Sequence, residues 1–126
     1  MTDTVTTIQG VPALVCAPEG EKLKSEQDAL DLIGETWGTR AQLILIPVER
    51  LTEDFFELKT RLAGEIIQKF ANYRFRVAIL GDISPYVAQS RSFRDFVYEA
   101  NKGHQLWFVT DLQELEDRLK KNDLAH

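Results

Sequence analysis

LILIPVERLTEDFFELKTRLAGEIIQKFANYRFRVAIL, residues 43–80, decides the architecture of this chain. It opens with LILIPV (43–48), an apolar run without alternation, which is the pattern of a strand covered on both faces. Pro47 marks the end of that strand, since proline donates nothing to a ladder. It closes with RVAIL (76–80), a second run of the same kind that stops at Gly81-Asp82. Between them, Leu58, Leu62, Ile66 and Phe70 recur every fourth residue, with Ala63, Ile67 and Ala71 in a row beside them, so a helix buries one broad stripe. Strand, helix and strand in this order require parallel neighbours joined by a right-handed crossover.

Inside the connection, Thr52 is a good helix cap and is followed by Glu53 and Asp54, but Phe55 and Phe56 leave the stripe. The spacing therefore predicts a short helical turn and then a longer helix, with the joint at Lys59-Thr60-Arg61. Thr60 is the predicted N-cap of the second piece. Gly64, inside the stripe, is expected where another backbone approaches closely.

Working outward, residues 5–9 and 13–17 are short and rich in β-branched or apolar residues, and Gly10-Val11-Pro12 between them reads as a hairpin turn. Ser25 and Asp28 form a variant capping box for a helix carrying Ala29, Leu30, Ile33 and Trp37, which Gly38 ends. Beyond Asp82, residues 83–86 (ISPY) read as a loop. Phe93, Phe96, Val97 and Ala100 then define a helix capped by Ser90 or Ser92. Residues 106–109 form the last strand. Asp111 and Glu114 cap a final helix with Leu112, Leu115 and Leu119 inward and Lys120 and Lys121 near its negative end.

The predicted fold is one α/β domain over residues 1–126, a small, mostly parallel five-stranded sheet with an antiparallel edge from the hairpin and about four helices. With 126 residues, 44% of them hydrophobic, the chain suits a single core. No run reaches membrane-spanning length and the start MTDTVTT lacks a secretion pattern, so a cytoplasmic setting without membrane partners is expected. Cys16, alone of its kind, excludes an internal disulfide and reads as a small buried hydrophobe. The net charge of −5 argues against nucleic acid as a partner.

In sheets of this kind ligands gather beyond the carboxyl ends of the strands. Here that rim holds Glu49 and Arg50, residues 82–84, and Thr110-Asp111, with the Lys59-Thr60-Arg61 joint beside them.

The segments LKTRLAGEIIQKFANYR, GDISPY and FRDFVYEANKG resemble an uncharacterised bacterial family, the domain of unknown function numbered four-one-eight-zero, over nearly the whole chain. That resemblance supplies no mechanism, and Arg61 stands where the family's pattern has glycine. The element order is also similar to the STAS domain, the fold of anti-sigma-factor antagonists and of the cytoplasmic tails of sulfate transporters. In that fold a Ser or Thr at the start of the helix after the third strand is phosphorylated by a partner kinase. Thr60 is the corresponding position. Its flanks differ from the usual Asp-Ser-Ser-Gly, so the resemblance implies only the fold and one hydroxyl.

Each candidate has a plain structural role beside its functional one. Thr60 is a helix cap or a phosphorylation site. Lys59 and Arg61 are solvated charges or an anion-binding pair at a helix start. Asp82 makes a turn with Ser84 or is a metal-binding or phospho-accepting carboxylate. Arg94, with Arg91, Lys102, Arg74 and Arg76, forms a basic patch facing an acidic partner or the chain's own Asp95 and Glu99. His104, His126 and Cys16 have no metal spacing, and no nucleophile elbow, phosphate-binding loop or dinucleotide motif is present. No cofactor is therefore assigned, and catalysis has no support. Trp37, Trp107, Phe55 and Phe56 read as core, whereas an exposed Phe55-Phe56 pair would mark a contact surface.

Three functions fit. The first is a regulatory module that binds a protein partner through residues 52–61, switched at Thr60. The second is a binder of a small anionic ligand or nucleotide between Glu49, Thr60 and Asp82. The third is an enzyme using Asp82, Glu65 or Tyr86 as acid or base. The hairpin's outer strand also offers an edge for a homodimer.

Overall fold

The computed structural model describes residues 3–124, with side chains to residue 121; His126 lies outside the described residues. Strand β1 (Thr4–Ile8) and strand β2 (Val11–Val15) form the hairpin. Helix α1 (Glu26–Glu35), β3 (Leu43–Pro47), α2 (Leu62–Asn72), β4 (Arg76–Leu80), α3 (Ser84–Gln89), α4 (Arg91–Lys102), β5 (Leu106–Val109) and α5 (Leu112–Leu124) follow. The sheet runs in sequence order from β1 to β5, antiparallel at the hairpin and parallel from β2 onward.

Sequential parallel order has a consequence for the layers. Right-handed crossovers that always step the same way place every connecting helix on one face. That face is a continuous core in which Ile44, Ile46, Val77, Ile79 and Phe108 meet Ala29 and Ile33 of α1, Ile66 and Phe70 of α2 and Phe93 of α4. The opposite face, with Leu43, Leu45, Ala78, Trp107 and Val109, is left for α5, whose Leu115 and Leu119 cover it. All five residues of β3 are buried, as a strand covered on both sides requires.

Several local expectations are corrected. The hairpin turn is Gln9-Gly10, both with positive φ, and Val11 and Pro12 belong to the strand. Two left-handed residues give the tight connection whose twist suits a hairpin, and Pro12 still accepts from Gln42 N–H through its carbonyl. Helix α1 ends at Glu35 and Gly38 takes φ +79, so Trp37 falls off the buried stripe and is 87% exposed. Leu112 is 44% exposed because it starts α5 at the rim rather than over the sheet. Residues 84–86 open a helix with Pro85 in its first turn instead of a loop. Gly64 faces open space, with no backbone close to it.

Candidate functional site

Two constructions stand on the rim beyond the carboxyl ends of the parallel strands. The first is the connection from β3 to α2. It runs through short 3-10 turns at Val48–Arg50, Glu53–Phe56 and Leu58–Thr60 instead of one helix. Phe55 and Phe56 force this: both are buried although adjacent in sequence. Phe56 stacks on Tyr86 of α3 at 3.9 Å between ring centroids and meets Phe93 of α4 edge-on at 5.6 Å. The pair is therefore core, not an exposed contact surface. Thr52 makes no capping bond, and its Oγ1 is buried without a hydrogen-bond partner among the described residues.

At the joint, Arg61 and not Thr60 is the N-cap residue of α2. Arg61 takes φ +66, the left-handed conformation, and its carbonyl accepts the first helical bond from Glu65 N–H at 3.0 Å. A tight turn is thus built on arginine where a glycine would sit without strain. Thr60 holds this turn from one residue earlier. Its hydroxyl proton lies between two carbonyls, Asp54 O at 2.7 Å and Glu57 O at 2.8 Å, while its oxygen accepts from Leu62 N–H at 3.3 Å. Lys59, Thr60, Arg61 and Glu65 are all exposed. Beside the joint lies an open groove of about 500 Å³. Glu53, Glu57 and Lys59 form one wall, Tyr86, Gln89 and Ser90 the other, and Phe56 lies between them.

The second construction centres on Arg50, which is only 6% exposed. Its Nη1 donates to Asp3 Oδ1 at 2.9 Å and to Ala17 O at 3.0 Å, and its Nε donates to Glu21 O. Asp3 also accepts from Ala17 N–H at 2.8 Å, and Arg50 O accepts from Leu23 N–H at 2.7 Å. One guanidinium therefore ties the segment before β1, the loop after β2 and the turn after β3. Gly20 is required by this packing, because a Cβ there would lie 2.5 Å from Arg50 Nη1. A cavity of about 460 Å³ opens above, with Glu35, Asp31 and Asp28 of α1 on its wall.

Burial alone would raise the Asp3 carboxyl, but the Ala17 N–H and the Arg50 guanidinium outweigh it and hold Asp3 below the usual range. Glu35 moves the other way, raised by burial and then by the negative charge of Asp3. Burial, aided by Asp3, pushes the Cys16 thiol up to about 12, so it is an inert hydrophobe.

The remaining candidates lie apart. Asp82 Oδ1 accepts from Ser84 N–H at 2.9 Å and Ser84 Oγ–H at 2.6 Å, and these two bonds lower its pKa. Gly81 before it takes φ +140 and passes so close to Val48 that a Cβ would meet its Cγ2 at 2.7 Å. Arg94 lines a separate groove with Tyr98 and Lys102 of α4 and Arg118 of α5. Lys102 pairs with Glu99 at 3.4 Å and lies over the Tyr98 ring, whereas Arg76 and Arg118 lie over Trp107. Arg94 and Lys102 thus share one groove with Arg118, and Arg76 reaches the same Trp107 ring as Arg118. Among the described residues no group of three or more His, Cys, Asp or Glu is placed to hold a metal ion. Nor is any helix among them long and apolar enough to cross a membrane.

Sequence reading placed Arg50 on the rim but missed its burial and its pairing with Asp3. The available signal was a lone arginine set between Pro47-Val48 and Leu51, where the chain returns toward the core.

A family model described as Domain of unknown function (DUF4180) matches residues 8–119, from the end of β1 into α5, and the chain belongs to that family. No curated protein and no solved structure matches it.

Proposed function

We propose that the protein is a non-enzymatic, cytoplasmic regulatory module of STAS-like architecture. It docks a protein partner in the groove beside residues 53–61, and phosphorylation of Thr60 switches that docking. The observation that carries this reading is the Thr60 hydroxyl, exposed at the rim and yet shared by Asp54 O and by the carbonyl of Glu57, a residue that lines the groove. A phosphoryl group on that oxygen removes the donated proton and sets about two negative charges against carbonyl oxygens. The joint must then rearrange, and with it the wall formed by Glu53, Glu57 and Lys59. A short, strained turn on an otherwise rigid sheet is the sort of element a local charge can move.

Two carboxylates against one lysine suit a polar or basic peptide surface in the groove better than an anionic metabolite or nucleotide. The test begins with mass spectrometry of the protein isolated from its own host, read for a phosphoryl mass on Thr60 and for a co-purifying protein. Binding of that protein is then compared across Thr60→Ser and Thr60→Glu. The expected result is binding kept by serine and changed at least tenfold by glutamate, with a much smaller change in stability. Equal losses of binding and stability would reduce Thr60 to a structural brace.

A further inference from the structure

The two edges of the sheet are finished differently. On β5 the outward Phe108 N–H is taken by the Asn101 side chain of α4 at 2.8 Å, so that edge is guarded from within the fold. On β1 no strand pairs with the outer side among the described residues, and Thr4, Val5, Thr6 and Thr7 are all exposed. The usual protections of an open edge are missing from Thr4–Ile8: it has no lysine, no other charge and no proline, and its register with β2 runs without a bulge.

The hairpin fixes which backbone groups face out. Ile8↔Val11 closes a two-residue turn and is a hydrogen-bonded pair, and such pairs alternate along an antiparallel ladder. Thr4, Thr6 and Ile8 therefore turn their N–H and C=O groups to β2, and Val5 and Thr7 turn theirs outward.

We infer that β1 is the interface of a symmetric homodimer in which the Thr6 residues of two copies meet across a two-fold axis and Val5 of each exchanges backbone hydrogen bonds with Thr7 of the other, joining the two sheets. The strand is self-complementary in this register: Thr4 faces Ile8, Val5 faces Thr7, and only uncharged, β-branched residues meet. The nearest charge, Asp3, is neutralised by Arg50 at 2.9 Å, with its side chain 7% exposed. In a chain of net charge −5, this strip lets a second copy approach without meeting its own charge. This interface is independent of the groove beside Thr60.

The register provides a sharp test. Thr6 and its symmetry mate form a non-hydrogen-bonded pair with Cα atoms about 4.5 Å apart, within the span of a disulfide. Val5 and its mate are diagonal neighbours about 7–8 Å apart and are not bridged. Cys16 is buried and does not compete. In the full chain, Thr6→Cys under mild oxidation is expected to give a disulfide-linked dimer, and Val5→Cys is not. Sedimentation velocity of the unmodified chain is expected to show a concentration-dependent dimer. Val5→Pro, which removes only outward donors, should raise the dimer dissociation constant roughly tenfold or more. A monomer at every concentration overturns the inference, as does a dimer indifferent to Val5→Pro or equal cross-linking of the two cysteine variants. If Val5→Pro fails to fold by circular dichroism, the cysteine pair decides alone.

Discussion

The chain leaves β3 through two polar junctions only ten residues apart, and they are built on opposite principles. At Arg50 a charge is buried and every contact it makes is long-range: Asp3, Ala17 and Glu21 lie far away in sequence. At Thr60 the polar group is exposed and all its partners, Asp54, Glu57 and Leu62, are local, the farthest six positions away in sequence. A buried charge whose partner is removed is left without water to replace it, whereas an exposed hydroxyl is exchanged for solvent at little cost. Arg50 therefore ties distant segments of the fold together and Thr60 holds only its own joint, which is what the proposed switch at Thr60 requires.

The largest expected effect tests the first half of that contrast. Arg50→Ala leaves the Asp3 side chain as a buried carboxylate with no positive partner and Glu21 O without its donor, while Ala17 O keeps the Gly20 N–H, and should cost about 3–5 kcal/mol in urea unfolding. A loss below about 1 kcal/mol would place Arg50 with ordinary surface residues. Thr60→Val should cost about 1 kcal/mol, the value of a single turn-holding bond, with Thr60→Ser close to neutral. Arg61→Gly goes the other way. A non-glycine residue at φ +66 carries about 1–2 kcal/mol of strain, part of which is offset by the larger freedom of glycine in the unfolded chain. A gain of about 0.5–1 kcal/mol is expected, visible as a raised thermal midpoint.

The smallest effect is a pH dependence at the Arg50 cluster. Asp3 has a lowered folded pKa, so its contribution is present above its unfolded value near 3.8 and is lost as pH falls below that. Glu35 has a raised folded pKa, so the folded state binds the extra proton just above 4.5, and stability declines as pH rises through that window. Glu35→Gln should flatten the decline while leaving the acid loss from Asp3 in place. Unfolding curves taken across pH 3 to 7 would show whether the two slopes separate in this way.

Much of the fold is legible in the sequence because the strands are buried on both faces. RVAIL and LWFV coincide with β4 and β5, since an unalternating apolar run bounded by polar residues leaves little choice of limits. Helix stripes were equally readable where the cap was local, as at Ser90, whose hydroxyl accepts from Phe93 N–H. Reading failed where one residue changed the phase. Trp37 continues the Ile33 stripe only if the helix reaches it, and Thr36 ends the helix first. The α3 helix was hidden by Pro85, a loop residue in most settings and a first-turn residue here. At the candidate site, the break between the short turns and α2 at residues 59–61 is legible from the interrupted stripe. The left-handed Arg61 and the Asp3–Arg50 pair, 47 residues apart, depend on how distant segments close on one another.

Whether Thr60 governs its joint alone separates a local switch from a brace of the whole fold. Hydrogen exchange compared between the unmodified protein and Thr60→Glu measures this residue by residue. The expected result is faster exchange confined to residues 57–65, where the Thr60, Arg61 and Leu62 amides lose their partners, with β3 and β4 protected as before. Uniformly faster exchange through the sheet, or no change at the joint, would contradict it.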